Sequence, residues 1–157
     1  MPLSRTIIMA TIVFFLDRVS KWIVIEFMDL PRRIYIEFYP PYINFMMAWN
    51  EGINFGLFGS GDIFTRYFLI GLALTIVVGL VFWVRDKSGW LVPLGVGAII
   101  GGAMGNVLDR VVYGAVADFL NMSCCGYSNP YAFNIADIAI FIGAFGLIIF
   151  AEPKRKR

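Results

Sequence analysis

Residues 67–84 read YFLIGLALTIVVGLVFWV and contain no charged side chain. A second uncharged stretch, WLVPLGVGAIIGGAMGNVL, follows at residues 90–108. A helix needs about 20 predominantly apolar residues to cross the hydrocarbon core of a bilayer. Each stretch has about this length, so we predict two transmembrane helices here, with Asp62 as a candidate N-cap upstream of the first.

Apolar stretches at both ends of the chain predict two more spans. Residues 6–28 begin as a continuous apolar run and then pass through DRVSK into WIVI. No small-residue cleavage site follows that run, which favours an uncleaved span over a signal peptide. Residues 133–151 contain one charged side chain, Asp137. We therefore predict an all-α membrane protein with four transmembrane helices in a single domain, residues 1–157.

The composition agrees with a membrane protein and excludes several kinds of site. Of the 157 residues, 59% are hydrophobic and 15% are charged, which is too little polar surface for a soluble domain of this length. The net charge of +2 gives no electrostatic case for nucleic acid as a partner. The chain has no histidine, which excludes Ser–His triads, Cys–His dyads and His-based zinc sites. Acid–base chemistry must then use Asp, Glu, Lys or Tyr.

The two cysteines, Cys124 and Cys125, are neighbours in the sequence. Adjacent cysteines rarely form structural disulfides, and two thiolates alone do not complete a metal site. We interpret both as packing residues and predict neither a metal nor a cofactor.

The distribution of Lys and Arg predicts that both termini are cytoplasmic. One side of the membrane receives the larger set of basic residues close to the helix ends: Arg5, Arg85, Lys87, Lys154, Arg155, Lys156 and Arg157. The other side receives chiefly Arg32, Arg33, Arg66 and Arg110. Residues 29–65 and 110–132 then face outward.

The first outward segment alternates between two kinds of side chain. Ile34, Ile36 and Phe38 share one face, and a second alternating run, residues 42–49, follows the break at Pro40-Pro41. This period of two predicts a small extracytoplasmic β-sheet. Two interpretations stay open: an interfacial lid without chemistry, which the sequence alone slightly favours, and a platform that holds a substrate against the membrane.

Small residues recur every four positions in the third predicted span, at Gly97, Gly101 and Gly105. Such a ridge allows a neighbouring helix to approach closely. We interpret it as a packing surface.

Polar and ionisable residues occur at five places in or beside the spans, and such residues are functional candidates by default. The five motifs are DRVSK (17–21), NEGINFG (50–56), GGAMGNVLDR (101–110), VADF (116–119) and FNIAD (133–137).

Four of these motifs have a structural explanation as well. Asp17 and Lys21 lie four residues apart, so they can form an ion pair that supports the fold, or Lys21 can snorkel outward to the membrane surface. NEGINFG is compatible with a plain turn. Asp109 and its neighbour Arg110 can mark a helix exit with a mutual salt bridge, and FNIAD has the spacing of an N-terminal capping box.

Asp118 and Asp137 are the strongest candidates for catalysis. Asp118 is a single carboxylate in an apolar run, which predicts that it points into a pocket, and both residues fall on the outward side with Asn106 and Arg110. Two carboxylates close together can share a proton, because like charges resist full ionisation. One can take a proton from water while the other donates one to a leaving group. This is the arrangement of an aspartic peptidase.

In this order, the five motifs resemble those of the bacterial lipoprotein signal peptidases, also called signal peptidase II: D-x-x-[ST]-K, N-x-G-x-[AS]-F-G, G-G-x-x-G-N-x-x-D-R, V-x-D-[FY] and F-N-x-A-D. The resemblance covers nearly the whole chain. It implies an aspartic endopeptidase of the bacterial cytoplasmic (inner) membrane. The substrate would be a prolipoprotein that carries a diacylglyceryl group on its lipobox cysteine, and cleavage would fall on the amino side of that cysteine. The implied partners are the signal peptides of such prolipoproteins and membrane lipids.

The resemblance also implies roles by motif position. Asp118 and Asp137 would be catalytic. The residues that would line the substrate site are Asn50, Gly52, Asn106, Arg110, Asn134 and Ala136. Structural support would come from Asp17, Lys21 and Asp109.

The chain departs from the family pattern at two positions. Asn54 replaces a small residue, and Arg18 stands where Gln is common. The alternatives to a peptidase are a non-enzymatic membrane transporter or proton-relay subunit, and a membrane scaffold. A relay would hold its carboxylates near the middle of the bilayer, and a scaffold gives no reason for the Asn-Asp-Arg cluster.

Overall fold

The computed structural model describes residues 1–52 and 63–150. The elements in chain order are α1 (Pro2–Trp22), a π-helical turn (Ile23–Phe27), α2 (Leu30–Arg33), β1 (Tyr35–Tyr39), β2 (Ile43–Asn50), α3 (Ile63–Val84), α4 (Leu91–Val112), β3 (Val116–Met122) and α5 (Ile135–Phe150). The predicted combination of helices with a small sheet is therefore confirmed.

Helix α4 is the centre of the helical bundle, and α1, α3 and α5 all pack against it. The predicted glycine ridge is the surface that contacts α1. A Cβ atom at Gly101 would lie 2.5 Å from the carbonyl oxygen of Ala10, so any larger residue would push the two helices apart. Gly102, on the adjacent face, is equally close to the carbonyl of Ala136 at the start of α5. The two glycines allow α4 to touch both neighbours backbone to backbone.

The three strands form one antiparallel sheet in the order β1-β2-β3. Alternation in the sequence predicted β1 and β2, but β3 was missed. One face of the sheet lies over a small core of Val24, Leu30 and Phe119, all at least 97% buried. Because this core includes the π-helical turn after α1, the sheet is anchored to one end of the bundle.

Several helix boundaries differ from the predictions. Helix α1 begins at Pro2 rather than residue 6, in agreement with the preference of proline for the first helical turn. Helix α3 is already helical at Ile63, the first residue described after the gap, four residues before the predicted start. Helix α4 continues to Val112, so Asp109 and Arg110 lie within its last turns instead of marking its exit. Helix α5 begins at Ile135 because Asn134 caps it.

The described helices support the membrane prediction in part. Helices α3 and α4 each have 22 residues and are apolar enough to cross a bilayer. Helix α5 is apolar over the 16 residues described. Helix α1 is long enough but contains Asp17, Arg18 and Lys21, which lower its hydropathy. The number of four spans stays a prediction.

The interpretation of the cysteines as packing residues was wrong. Cys124 and Cys125 are exposed in a turn after β3, and a disulfide joins them. Neither side chain belongs to a hydrophobic core. The predicted cap Asp62, the departure at Asn54 and the basic tail at 154–157 lie outside the described residues.

Candidate active site

Asp118 lies on β3 and is 97% buried. The β2–β3 register pairs Asp118 with Ala48 and pairs Asn50 with Val116. Asn50 is therefore a diagonal neighbour of Asp118 on the same face of the sheet. Its Nδ2 donates a hydrogen bond of 3.1 Å to Asp118 Oδ2. The sheet thus contributes directly to the candidate site, which favours the platform interpretation over the lid.

Asp137 lies in the first turn of α5, and Asn134 connects it to Asp118. Asn134 Nδ2 donates to Asp118 Oδ1 at 2.7 Å, while Asn134 Oδ1 accepts the backbone N–H of Asp137 at 2.9 Å. In return, the backbone N–H of Asn134 donates to Asp137 Oδ2 at 3.2 Å. The predicted capping box is confirmed. It also fixes the orientation of both carboxylates, so capping and catalysis do not exclude each other here.

Asn106 on α4 holds the second oxygen of Asp137. Its Nδ2 donates to Asp137 Oδ1 at 2.9 Å, and its Oδ1 accepts from Lys21 Nζ and Asn134 Nδ2, both at 3.2 Å. An ammonium group can only donate, so Lys21 dictates which end of the Asn106 amide faces Asp137. The prediction that Asn106 would need partners in the bundle is confirmed.

A second pair of carboxylates, Asp17 and Asp109, lies beside the first, and both are fully buried. Lys21 Nζ lies 2.9 Å from Asp17 Oδ2 and 2.6 Å from Asp109 Oδ2. Arg18 Nη2 also contacts both carboxylates. The predicted Asp17–Lys21 pair is confirmed, and Lys21 is 98% buried rather than snorkelling. Among the described residues, the ion-pair partners of Asp109 are these two α1 cations, so the suggested salt bridge to Arg110 was wrong.

We call Asp17 and Asp109 the lower carboxylates. Both also accept hydrogen bonds from backbone N–H groups next to the candidate catalytic residues. Asp109 Oδ2 accepts the N–H of Ala117 at 3.2 Å, and Asp17 Oδ1 accepts the N–H of Ala136 at 3.1 Å. These alanines directly precede Asp118 and Asp137. Sequence reasoning missed both contacts, since a backbone N–H leaves no signal in the side-chain pattern.

Three predicted substrate-binding residues border this arrangement in different ways. Arg110 is half-buried on α4, and its charge interacts with Asp118 and Asp137. Gly52 has a φ of +117°, and a Cβ there would lie 2.6 Å from Leu69 Cδ1 on α3. Its N–H donates to Asn50 Oδ1 at 3.0 Å, which orients the Asn50 amide toward the site. Ala136 is fully buried against α4. Contact with a substrate stays a prediction for all three.

The environment of Asp118 changes its acidity. Burial raises its pKa to about 6, and the negative charge of Asp137 acts in the same direction. The hydrogen bonds from Asn50 and Asn134 and the charge of Lys21 oppose this increase. A carboxyl group with such a pKa can exchange a proton near neutral pH, as a general acid or base must.

The comparison with known families agrees with this geometry. The family model described as signal peptidase (SPase) II matches residues 9–151. The chain belongs to the signal peptidase II family. It is therefore a member of a family of peptidases, and the alternative of a transporter or proton-relay subunit finds no support in these comparisons.

Several relatives are named lipoprotein signal peptidase. The one from Polynucleobacter necessarius subsp. necessarius is 37% identical, and the match covers 99% of this chain and 93% of the relative. The one from Methylobacterium sp. strain 4-46 is 35% identical over 94% of this chain and 88% of the relative. The match to the Methylobacterium radiotolerans protein is 41% identical but spans 69% of this chain and 63% of the length of that relative.

Two solved structures of bacterial membrane enzymes, determined by the in meso method, share the fold. Their TM-scores are 0.76 and 0.80, and both are 27% identical to this chain. The matches cover 99% and 98% of this chain, and 95% and 96% of the neighbours. The family and these neighbours together indicate a protein of the bacterial inner membrane.

Proposed function

We propose that the chain is an aspartic endopeptidase that removes the signal peptide from diacylglyceryl-modified prolipoproteins, with Asp118 and Asp137 as the catalytic pair. Cleavage falls on the amino side of the lipidated cysteine. One observation carries the assignment of the pair: Asn134 donates a hydrogen bond to each carboxylate, from its Nδ2 to Asp118 and from its backbone N–H to Asp137. The substrate class follows from membership of the signal peptidase II family.

The proposed reaction needs only water and the two carboxyl groups. One carboxylate takes a proton from water as the water oxygen bonds to the scissile carbonyl carbon and the carbonyl π electrons move onto the carbonyl oxygen. When the carbonyl re-forms and the carbon–nitrogen bond breaks, the other carboxyl group supplies a proton to the leaving amine, so the pair again holds one proton. All four oxygens of the pair accept a hydrogen bond from Asn50, Asn134 or Asn106, so the carboxyl groups are oriented before substrate arrives.

Arg110 is well suited to hold the substrate beside this pair. Its Nη1 makes one long contact of 3.5 Å to the carbonyl of Asn106, and within the described ranges its buried Nε has no hydrogen-bond partner. A guanidinium with free donors next to two carboxyl groups can bind a carbonyl oxygen of the substrate. We propose the same substrate-facing role for the other predicted site residues: Asn50, Gly52, Asn106, Asn134 and Ala136.

We also propose four spans with both termini cytoplasmic and the catalytic pair toward the periplasmic or outer face. Arg5 stacks on Trp90, and Lys87 on Trp83, at the bundle end opposite the sheet. Basic residues with aromatic neighbours suit the cytoplasmic interface. In a background with both cysteines replaced by serine, Ser88→Cys and Ser128→Cys should give opposite labelling by a membrane-impermeant reagent in intact cells. Equal labelling would contradict this topology.

Cleavage by the purified chain tests the proposed activity. The detergent-solubilised protein should cut a diacylglyceryl-modified prolipoprotein peptide, and mass spectrometry should find a product that begins with the lipidated cysteine. The matched control is the same peptide without the lipid, which should be cleaved poorly or not at all. Absence of cleavage by folded protein, or cleavage at another bond, would overturn the proposal.

A further inference from the structure

Arg18 is a second cation in a site where Lys21 already contacts both lower carboxylates. Its Nη2 lies 2.8 Å from Asp17 Oδ2 and also contacts Asp109 Oδ1 and the carbonyl oxygen of Gly105. The Arg18 side chain is 20% exposed, whereas both carboxylates are fully buried.

The four charges balance one another. Asp17 and Asp109 carry two negative charges, and Arg18 and Lys21 carry two positive charges. With Lys21 alone, one negative charge would stay uncompensated in a buried site, which is costly. Lys21 would also have to neutralise both carboxylates. The cluster would then carry a net negative charge, which would oppose the positive charge that Lys21 contributes at Asn106 and Asp118.

The lower carboxylates are connected to the catalytic pair by three hydrogen-bonded routes. Asp109 holds the N–H before Asp118, Asp17 holds the N–H before Asp137, and Lys21 orients the Asn106 amide that binds Asp137. A change in the charge or position of the lower carboxylates therefore reaches both catalytic residues. Arg18 contacts neither of them, so its effect on them is electrostatic or passes through its neighbours.

We propose that Arg18 is a positioning residue, which neutralises the lower carboxylates together with Lys21 and so leaves the Lys21 charge available to the catalytic pair. This inference rests on the proposed function for its kinetic consequences. Four elements contribute the charged groups around the lower carboxylates and the catalytic pair. These groups are Asp17, Arg18 and Lys21 on α1, Asp109 and Arg110 on α4, Asp118 on β3 and Asp137 on α5.

The consequence is a change in the pH dependence of the reaction. Without Arg18, the neighbourhood of the pair becomes more negative, and negative charge favours the protonated form of a carboxyl group. The pair then keeps its shared proton to higher pH. The decline of kcat/KM on the alkaline side should move upward, by about half a pH unit to one pH unit.

Arg18→Gln tests this inference, with kcat and KM measured between pH 5 and 9 per folded molecule. We expect the alkaline decline of kcat/KM to move to higher pH, kcat to fall several-fold and KM to change little. Arg18→Lys should return the limb to its original position, since it restores the charge. It should recover kcat only in part, because lysine lacks the planar fork of arginine. A limb that does not move in folded Arg18→Gln would overturn the inference.

Two further variants separate charge from structural damage. The double variant Arg18→Gln with Asp109→Asn removes one cation and one carboxylate together, so the limb should return toward its original position even if kcat stays low. The matched control is Arg32→Gln, since the Arg32 side chain is 87% exposed. This variant should keep the original pH profile of kcat/KM. A shift of its alkaline limb would show that the effect is not specific to Arg18.

A measurement without substrate distinguishes failure of this inference from failure of the proposed function. Carboxyl carbon NMR can follow the titration of Asp118, assigned by its loss in Asp118→Asn. The Asp118 signal should titrate at higher pH in Arg18→Gln than in the original protein. An unmoved signal would overturn the inference and leave the peptidase assignment intact. Cleavage by Asp118→Asn would overturn the peptidase mechanism and leave the charge effect intact.

Discussion

The candidate site contains two pairs of aspartates that differ in what binds them. The lower carboxylates, Asp17 and Asp109, are held by the full positive charges of Arg18 and Lys21. Asp118 and Asp137 are held by side-chain amides and one backbone N–H. A cation strongly favours the ionised form of a carboxyl group, whereas a neutral donor does so less.

Aspartate therefore has two different uses in this site. A carboxylate locked to two cations is a fixed structural anchor, and its oxygens orient the backbone. A carboxyl group held by amides is oriented as firmly, but among the described residues no cation is bound to it. Burial reinforces this difference, because it raises the pKa of Asp118 to about 6. Substitution of each pair by asparagine should therefore have different effects.

The largest effect should come from the proposed catalytic pair, Asp118 and Asp137. Asp118→Asn and Asp137→Asn should each lower turnover by about 10²- to 10⁴-fold, since asparagine keeps the size of the side chain but cannot carry the proton. The double variant should be little worse than either single one, because the two groups act as a unit. The measurement is turnover of a lipidated prolipoprotein per folded molecule, with thermal stability recorded for the same sample.

The capping role of Asp137 makes a different forecast. If Asp137 only caps α5, asparagine there should reduce stability slightly and leave turnover nearly normal. Near-normal turnover in either single variant would contradict the aspartic mechanism. A large loss of turnover in a protein that melts normally would separate catalysis from capping.

The next largest effect should appear in stability. Asp17→Asn or Asp109→Asn leaves the buried Lys21 and the partly buried Arg18 with one carboxylate, and breaking a buried ion pair costs about 3 kcal/mol or more. We expect a clear decrease in the melting temperature in detergent. Turnover per folded molecule should fall less than in the catalytic variants. Unchanged melting with a complete loss of turnover would show that the lower carboxylates take part in the chemical step.

The pH dependence should reflect the raised pKa of Asp118. In the proposed mechanism the active form of the pair carries one shared proton, so activity should decline as rising pH removes it. In the free enzyme this places the alkaline limb of kcat/KM near pH 6. Bound substrate covers the pair and adds to its burial, so the limb of kcat should lie at higher pH. Coincident limbs, or a limb of kcat at lower pH, would contradict a buried pair that shares a proton.

Local spacing predicted some parts of this site well. Asn134 and Asp137 are three residues apart, and Asp17 and Lys21 are four apart, so their contacts follow from helix geometry alone. The alternating runs likewise predicted β1 and β2. In each case the partners lie in one element or in neighbouring strands, where periodicity determines which side chains share a face.

Contacts between distant elements could not be predicted in this way. β3 was missed because residues 115–119 are all buried, so the strand shows no alternation of polar and apolar residues. The last turn of α4 was missed because Asp109 and Arg110 suggested a helix end. Asp109 can be buried because Arg18 and Lys21 on α1 pair with it. These two residues are 91 and 88 positions away from Asp109 in the sequence.

The smallest effect should come from Asp29, which is the matched control for all the other Asp→Asn variants. Asp29 and Arg32 form an ion pair of 3.7 Å at the surface, with side chains 48% and 87% exposed. Exposed pairs of this kind contribute about 0–1 kcal/mol to stability. Asp29 has a positive φ of 52°, a conformation that asparagine also tolerates, so the substitution adds no backbone strain. Asp29→Asn should therefore leave the melting temperature and the turnover of a lipidated substrate nearly unchanged. A loss of either as large as in the buried variants would mean that any Asp→Asn change on this side of the molecule is harmful, and the contrast between the two pairs could no longer be attributed to their different partners.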